Sequence, residues 1–337
     1  MTGRHAGAPS PEERRPDPDQ PAQPTIDPAA TVGGQAVLEG VMMRAPTAWA
    51  VAVRRPDGVI ESVRHDLPRL STRSVAARIP LVRGVLVLGE SLTLGFRALS
   101  WSAQKAVDDA EEEPLTGRQI AFSMTVALTF FLAFFILIPA FVARFTSGDS
   151  ALVFNVIEGA VRLGLFVGYI WVIGRSREIA RVFEFHGAEH MTIHAYEARE
   201  PLTVESIARY QPEHPRCGTS FLLIVVLGSI VVFSLLHQPG ILWLVASRLL
   251  GIPIIAGLAY EILRFTGLGR DTVLARAMAT PGLWLQKLTT GRPQADQIEV
   301  AIASMLTALD EPQVEDVLAR GPVPEAALAA RRAALAG

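Results

Sequence analysis

Four apolar runs set the terms on which this chain can fold: Ile120–Val142, Leu152–Ile173, Phe221–Leu236 and Ile241–Leu263. Each approaches the roughly 20 residues that a helix needs to cross a hydrocarbon core, the third being the shortest. A lipid interior offers backbone groups no outside partner, so such runs fold as helices. Half of the 337 residues are hydrophobic and the mean hydropathy is +0.32, which sets the chain apart from an ordinary soluble domain. The expected class is an α-helical polytopic membrane protein with about four transmembrane helices, joined to a small β-rich cytosolic N-terminal unit and to amphipathic or interfacial helices. The lipid bilayer is its first expected partner, and other membrane proteins come next.

Arginine places the loops. Arg54, Arg55, Arg64, Arg69, Arg73, Arg78 and Arg83 precede the first run, and Arg175, Arg177, Arg181, Arg199, Arg209 and Arg216 fill the segment between the second and third. The loop after the first run has only Arg144 nearby, and His237-Gln238-Pro239-Gly240 has no Lys or Arg. The positive-inside rule puts both termini and the 175–217 segment in the cytoplasm. The N-terminus lacks the short apolar core of a secretory signal, so insertion is expected to use an internal segment. A net charge of −2 argues against a nucleic-acid partner, and one cysteine excludes an internal disulfide.

Texture divides the rest. Residues 1–30 are rich in Pro and charge and read as a disordered tail. A β-rich unit over 31–78 is expected from the Val-rich stretches Gln35–Met43, Trp49–Arg54 and Val59–Val63, with Arg55-Pro56-Asp57-Gly58 carrying turn chemistry. Ile79–Trp101, interrupted by Arg83, Glu90 and Arg97, suits an interfacial or re-entrant helix, and Asp108–Pro114 is an acidic break. Beyond the 119–264 membrane region, Val273, Leu274, Met278, Leu283, Trp284, Leu285 and Leu288 suit a helix on the inner membrane surface. Ile298, Ile302, Met305 and Leu309 form one apolar stripe on a cytosolic helix, and 310–337 reads as a loose Ala-rich terminal helix or tail.

The chemistry concentrates in Phe185-His186-Gly187-Ala188-Glu189-His190-Met191-Thr192-Ile193-His194. Steps of four keep side chains on one helix face, so His186 and His190 are neighbours, as are His190 and His194. The outer pair lies about 12 Å apart along the axis, so all three cannot easily share one ion. A further ligand is expected from Glu213-His214-Pro215-Arg216-Cys217. His186, His190, His194, His214 and Cys217 are donors that a divalent metal, zinc above all, accepts. His186-Gly187-Ala188-Glu189-His190 also matches the H-x-x-E-H pattern of inverted zincins, in which the Glu activates water. Glu189 is the candidate catalytic residue, although it points roughly 100° away from His190 on a regular helix. The plainer reading makes the histidines a hydrogen-bonded face at the membrane surface and Cys217 a small buried hydrophobe.

Charges inside the apolar runs form a second set. Glu158 lies one turn from Arg162, and counting from the outer ends brings Glu158 and Arg248 to within about a turn of equal depth. Intramembrane ions cost several kcal/mol unless partnered, so Glu158 pairs with Arg162 on its own helix or with Arg248 across helices. Glu261, at the inner end of the last run, is a further ligand candidate.

Gly33-Gly34-Gln35-Ala36-Val37-Leu38-Glu39-Gly40-Val41-Met42-Met43-Arg44, the His186–Glu197 block and His214-Pro215-Arg216-Cys217-Gly218-Thr219-Ser220-Phe221 together resemble the YqhQ-like family of bacterial membrane proteins, domain of unknown function 1385. The resemblance covers about Thr31–Leu309 and departs at Met191, where a Lys is expected. It implies a multi-span protein of the bacterial cytoplasmic membrane with metal dependence, and no particular reaction. In the first block, Gln35 and Glu39 fall on one face of an extended strand, and these two and Arg44 are candidate polar site residues. Two functions fit: a membrane-embedded metal-dependent hydrolase at the cytoplasmic face, or a non-catalytic scaffold or accessory factor in membrane-protein insertion or quality control with a structural metal site. Three ligands with an open position favour the first, and four filled ligands the second.

Overall fold

The computed structural model describes residues 32–67, 79–106, 117–148, 150–235, 240–268 and 272–336. The expected N-terminal tail and the Asp108–Pro114 break lie outside the described residues.

Strands β1 (Gly33–Val37), β2 (Gly40–Arg44), β3 (Ala48–Arg54) and β4 (Ile60–Asp66) pair in sequence order as an antiparallel sheet. The Arg55–Gly58 turn forms as expected, with the Asp57 carboxylate accepting from the Val59 N–H at 3.0 Å. The stretch Gln35–Met43 is not one strand. It reverses at Leu38-Glu39, so Gln35 and Glu39 do not share a strand face. Glu39 adopts a φ of 51°, a conformation unusual for a Glu, and Arg181 grips its two carboxylate oxygens at 2.5 and 2.6 Å.

The sheet buries both faces. On one, Met42, Trp49, Val51 and Val53 pack against Leu94 and Ala98 of α1 (Pro80–Lys105). On the other, Val41, Met43, Ala50 and Ala52 pack against Phe185 and Met191 of α5 (Arg177–Glu197) and against Ile298, Ile302 and Met305 of α10 (Ala295–Ala308). Helix α1 is unbroken from Pro80 to Lys105. Its first turns lie on α8 (Ile241–Leu268), where a Cβ on Gly84 would come 2.8 Å from the Cα of Gly257, and Arg83 holds Glu261 at 2.6 Å.

The apolar part comprises α2 (Gly117–Leu132), a π-helical turn (Ala133–Leu137), α3 (Ile138–Thr146), α4 (Ala151–Ile173), α7 (Gly218–Ser234) and α8. By length and composition alone, three stretches are sufficient to cross a membrane: Thr125–Thr146, Leu152–Ile173 and Ala246–Arg264. The third expected span, α7, is apolar but has only 17 residues, about 26 Å of helix. Within this bundle Glu158 bonds Arg162 at 2.5 Å and Arg248 at 2.7 Å, so both pairings weighed from the sequence coexist. Pro139 has no N–H to offer the Phe135 carbonyl, and Arg162 Nε donates to that carbonyl at 3.0 Å.

Short α6 (Val204–Ile207) follows α5, and α9 (Val273–Thr289) follows α8. Helix α10 is buried on nearly every side rather than along one stripe. The C-terminal stretch, expected as a loose helix or tail, forms α11 (Glu311–Arg320) and α12 (Glu325–Ala336) and is packed rather than loose, with Ala327 and Ala330 in the core. Its alanines are small enough to let α12 close on α10 and β4.

Candidate metal centre

Helix α5 turns Phe185, Met191 and Ile193 toward the sheet-side core and carries His186, Glu189 and His190 within the same two turns. Gly187 allows its docking: a Cβ there would fall 2.0 Å from the Gly291 carbonyl oxygen. His186 donates from Nδ1 to the Thr289 carbonyl at 2.8 Å, and His190 donates from Nδ1 to the Pro212 carbonyl at 2.6 Å. A carbonyl only accepts, so each bond places the hydrogen on Nδ1 and leaves Nε2 for another role. His186 Nε2 lies 3.2 Å from the Cys217 sulfur.

Cys217 is the N-cap of α7, and its sulfur accepts from the Thr219 N–H at 3.3 Å. Burial works to raise its pKa, but the adjoining His190 ring and the hydrogen bonds from Thr219 outweigh burial and hold the thiol below its ordinary value. Burial also pulls His190 below the usual imidazole range, against the opposing effect of Cys217. Ligand atoms of His186, His190 and Cys217 all lie within 4.8 Å of one another. Tetrahedral zinc ligands stand roughly 3.3–3.8 Å apart given metal bonds of about 2.0 and 2.3 Å, so a small contraction would seat an ion. Histidines fixed through Nδ1 by carbonyls are the usual outer support of a zinc site. The donor set fits zinc.

Glu189 is buried and its Oε2 has no hydrogen-bond partner. Burial pushes its carboxyl up to about 8, with His186 opposing and Cys217 reinforcing the shift. Its carboxyl lies against the backbone of β1, where a Cβ on Gly34 would come 3.0 Å from Oε1. A carboxyl titrating near neutrality beside a nitrogen and sulfur donor set is suited to proton transfer.

The remaining candidates lie outside this donor set, His214 nearest to it with its ring 5.6 Å from that of His190. His194 Nε2 pairs with the Glu213 carbonyl at 2.9 Å, and its ring stacks on Tyr210. His214 Nδ1 accepts from the Arg216 N–H at 3.2 Å, and its Nε2 faces Glu197 at 3.7 Å. Gln286, not anticipated from the sequence, holds the His214 backbone from both sides at 2.7 and 2.9 Å. Its only signal is a lone amide in the apolar run Leu283-Trp284-Leu285-Gln286-Lys287-Leu288. Gln35 donates to the Gly95 carbonyl at 3.2 Å, Arg44 reaches Glu90 at 3.5 Å, and Glu39 and Glu261 are held by Arg181 and Arg83. These contacts tie the sheet to α1 and α5, and α1 to α8. The Glu158 and Arg248 pair lies in the apolar bundle.

The arrangement defines a helical protein with a buried Cys–His centre set between a small antiparallel sheet and an apolar bundle. The chain belongs to the family described as protein of unknown function (DUF1385), which it matches over residues 79–311. It is 35% identical over 289 residues to "Uncharacterized protein YqhQ" of Bacillus subtilis (strain 168), covering 81% of this chain and 90% of that protein. No solved structure matches it.

Proposed function

We propose that this chain is a membrane-embedded, zinc-dependent hydrolase working at the cytoplasmic membrane face. The observation that carries the reading is the convergence of three donors, His186, His190 and Cys217, beside a buried carboxyl that has an oxygen without a partner. Three protein ligands leave one position for water or substrate, the pattern of catalytic rather than structural zinc. A bound Zn²⁺ would supply a water of lowered pKa and polarise the group under attack. The chain's own part is to fix both imidazoles through Thr289 and Pro212, to present a low-pKa thiol, and to let Glu189 take a proton from water and return it to the leaving group.

The test is hydrolysis of an activated ester, 4-nitrophenyl acetate, by purified protein before and after chelation. Activity should vanish with chelator and return with zinc. Glu189→Gln should keep the metal and lose about 100-fold or more in rate. Loss of metal in Glu189→Gln would instead make Glu189 a fourth ligand and favour the scaffold or accessory factor with a closed structural site.

Four crossings are supported by a parity argument. Met43, Phe185 and Ile302, from β2, α5 and α10, share one hydrophobic core, so the chain must return to one side between them. With α1 kept on that side, an even number of crossings for 117–173 and again for 218–268 supports α7 crossing together with α8 despite its length. Exposed Trp171 and Trp284, with Arg175 stacked on Trp171 at 3.2 Å, suit the inner membrane surface. Cysteine labelling in sealed cells should therefore find residues introduced at Gly148 and Gln238 outside and one at Arg199 protected. Labelling at Arg199 from outside would reverse the orientation.

A further inference from the structure

The centre lies against a sheet edge. Strand β1 is at the end of the β1-β2-β3-β4 order, so among the described residues one of its sides has no strand beside it. The two-residue loop makes Val37 and Gly40 a hydrogen-bonded pair, and alternation along the register makes Gln35 with Met42 and Gly33 with Arg44 the next such pairs. The N–H and C=O groups of Gly34 and Ala36 therefore point away from β2. Among the described residues, none hydrogen-bonds to these four groups. Gly33 and Gly34 are exposed, and a Cβ on Gly33 would meet nothing within 4 Å.

We infer that β1 is the substrate-docking edge, and that the substrate class is an extended polypeptide which adds to the sheet beside β1 and presents a peptide bond to Glu189. Two donors and two acceptors at strand spacing are matched by an extended peptide backbone and by little else. An added strand lies about 4.8 Å from its neighbour, which places its carbonyls close to the Glu189 carboxyl packed on Gly34. The identity of the substrate rests on the hydrolase reading, whereas the docking edge rests on the sheet register. In the cleavage, a water oxygen bonds to the peptide carbonyl carbon and the C–N bond breaks. One water proton passes through Glu189 to the departing amine, so atoms and charge balance without another reactant.

The probe is β-casein, an extended and largely unstructured polypeptide, added to the full-length protein in detergent while amide exchange and metal content are followed. The Gly34 and Ala36 amides should exchange freely in the protein alone and slow at least about tenfold with casein, since their N–H groups then enter a ladder. Ala36→Pro removes an edge donor without touching the β1–β2 ladder, and should raise the casein concentration needed for half-maximal cleavage by about tenfold or more while the metal stays bound. Unchanged exchange at Gly34 and Ala36 in metal-loaded, casein-treated protein would overturn the inference and leave the hydrolase reading in place. Protection already present without casein would assign the edge to another part of the chain or to a second copy, and would also overturn it. Casein protection in a protein that never holds metal would retain the docking edge and remove the hydrolase reading. The wild-type exchange result decides the matter even if Ala36→Pro does not fold.

Discussion

Glu158→Gln is expected to destabilise the helical bundle by about 3–5 kcal/mol, because it leaves two guanidinium groups without their counter-charge in a dry setting. Arg248 is 1% exposed, and its head group bonds Glu158 at 2.7 Å and Asn155 at 3.1 Å while lying 4.0 Å over the Phe233 ring. Arg162 takes the other Glu158 oxygen at 2.5 Å. One carboxylate thus serves two cations, and its removal strands both. A double-mutant cycle in detergent, read by thermal or chemical unfolding, should find that Arg248→Leu costs much less when Glu158→Gln is already present. The same non-additivity should appear for Arg162→Leu. Additive losses would mean that the three charges do not act as a unit.

Metal-stripped protein is expected to lose stability as pH rises from about 4.5 to about 8, the interval between the ordinary value of Glu189 and the value to which burial pushes it. The direction follows from proton counting. Over that interval the unfolded chain has released the Glu189 proton while the folded chain still holds it, so rising pH favours unfolding. The contribution is whole below the lower value and gone once pH passes the upper. For a fully buried carboxyl the loss amounts to a few kcal/mol, on the order of 4. Unfolding of chelator-treated protein, compared with Glu189→Gln across this range, isolates the effect. The Gln variant should lack this component and be the more stable of the two at pH 8. Parallel curves would show that the Glu189 environment is not as dry as its burial indicates.

What the sequence revealed was local, and what it hid was tertiary. The apolar helices and the shared face of His186 and His190 follow from hydropathy and the helical repeat, which neighbours in sequence determine. Counting depth from the outer ends brought Glu158 to Arg248, but the third partner, Asn155, and the bond from Arg162 to the Phe135 carbonyl depend on how the helices rotate against each other. The β1–β2 reversal was hidden because Leu38-Glu39 is a poor turn pair. Arg181, far along the chain, supplies the grip that local chemistry does not. Composition alone cast the Ala-rich C-terminus as loose, whereas small residues are what close helix packing requires. The same limit applied to the five ligand candidates. Spacing could not separate His186 and His190 from His194 and His214, since the Thr289 and Pro212 carbonyls and the Gln286 amide make the division.

That division is what elemental analysis tests most directly. Protein purified without chelator should carry about one equivalent of zinc, or take up one when zinc is added. His186→Ala, His190→Ala and Cys217→Ser should each lose most of it, whereas His194→Ala, whose ring pairs with the Glu213 carbonyl and Tyr210, should retain it. A wild type that neither carries nor takes up metal, or a His194→Ala variant that loses as much as His190→Ala, would contradict a centre built from His186, His190 and Cys217.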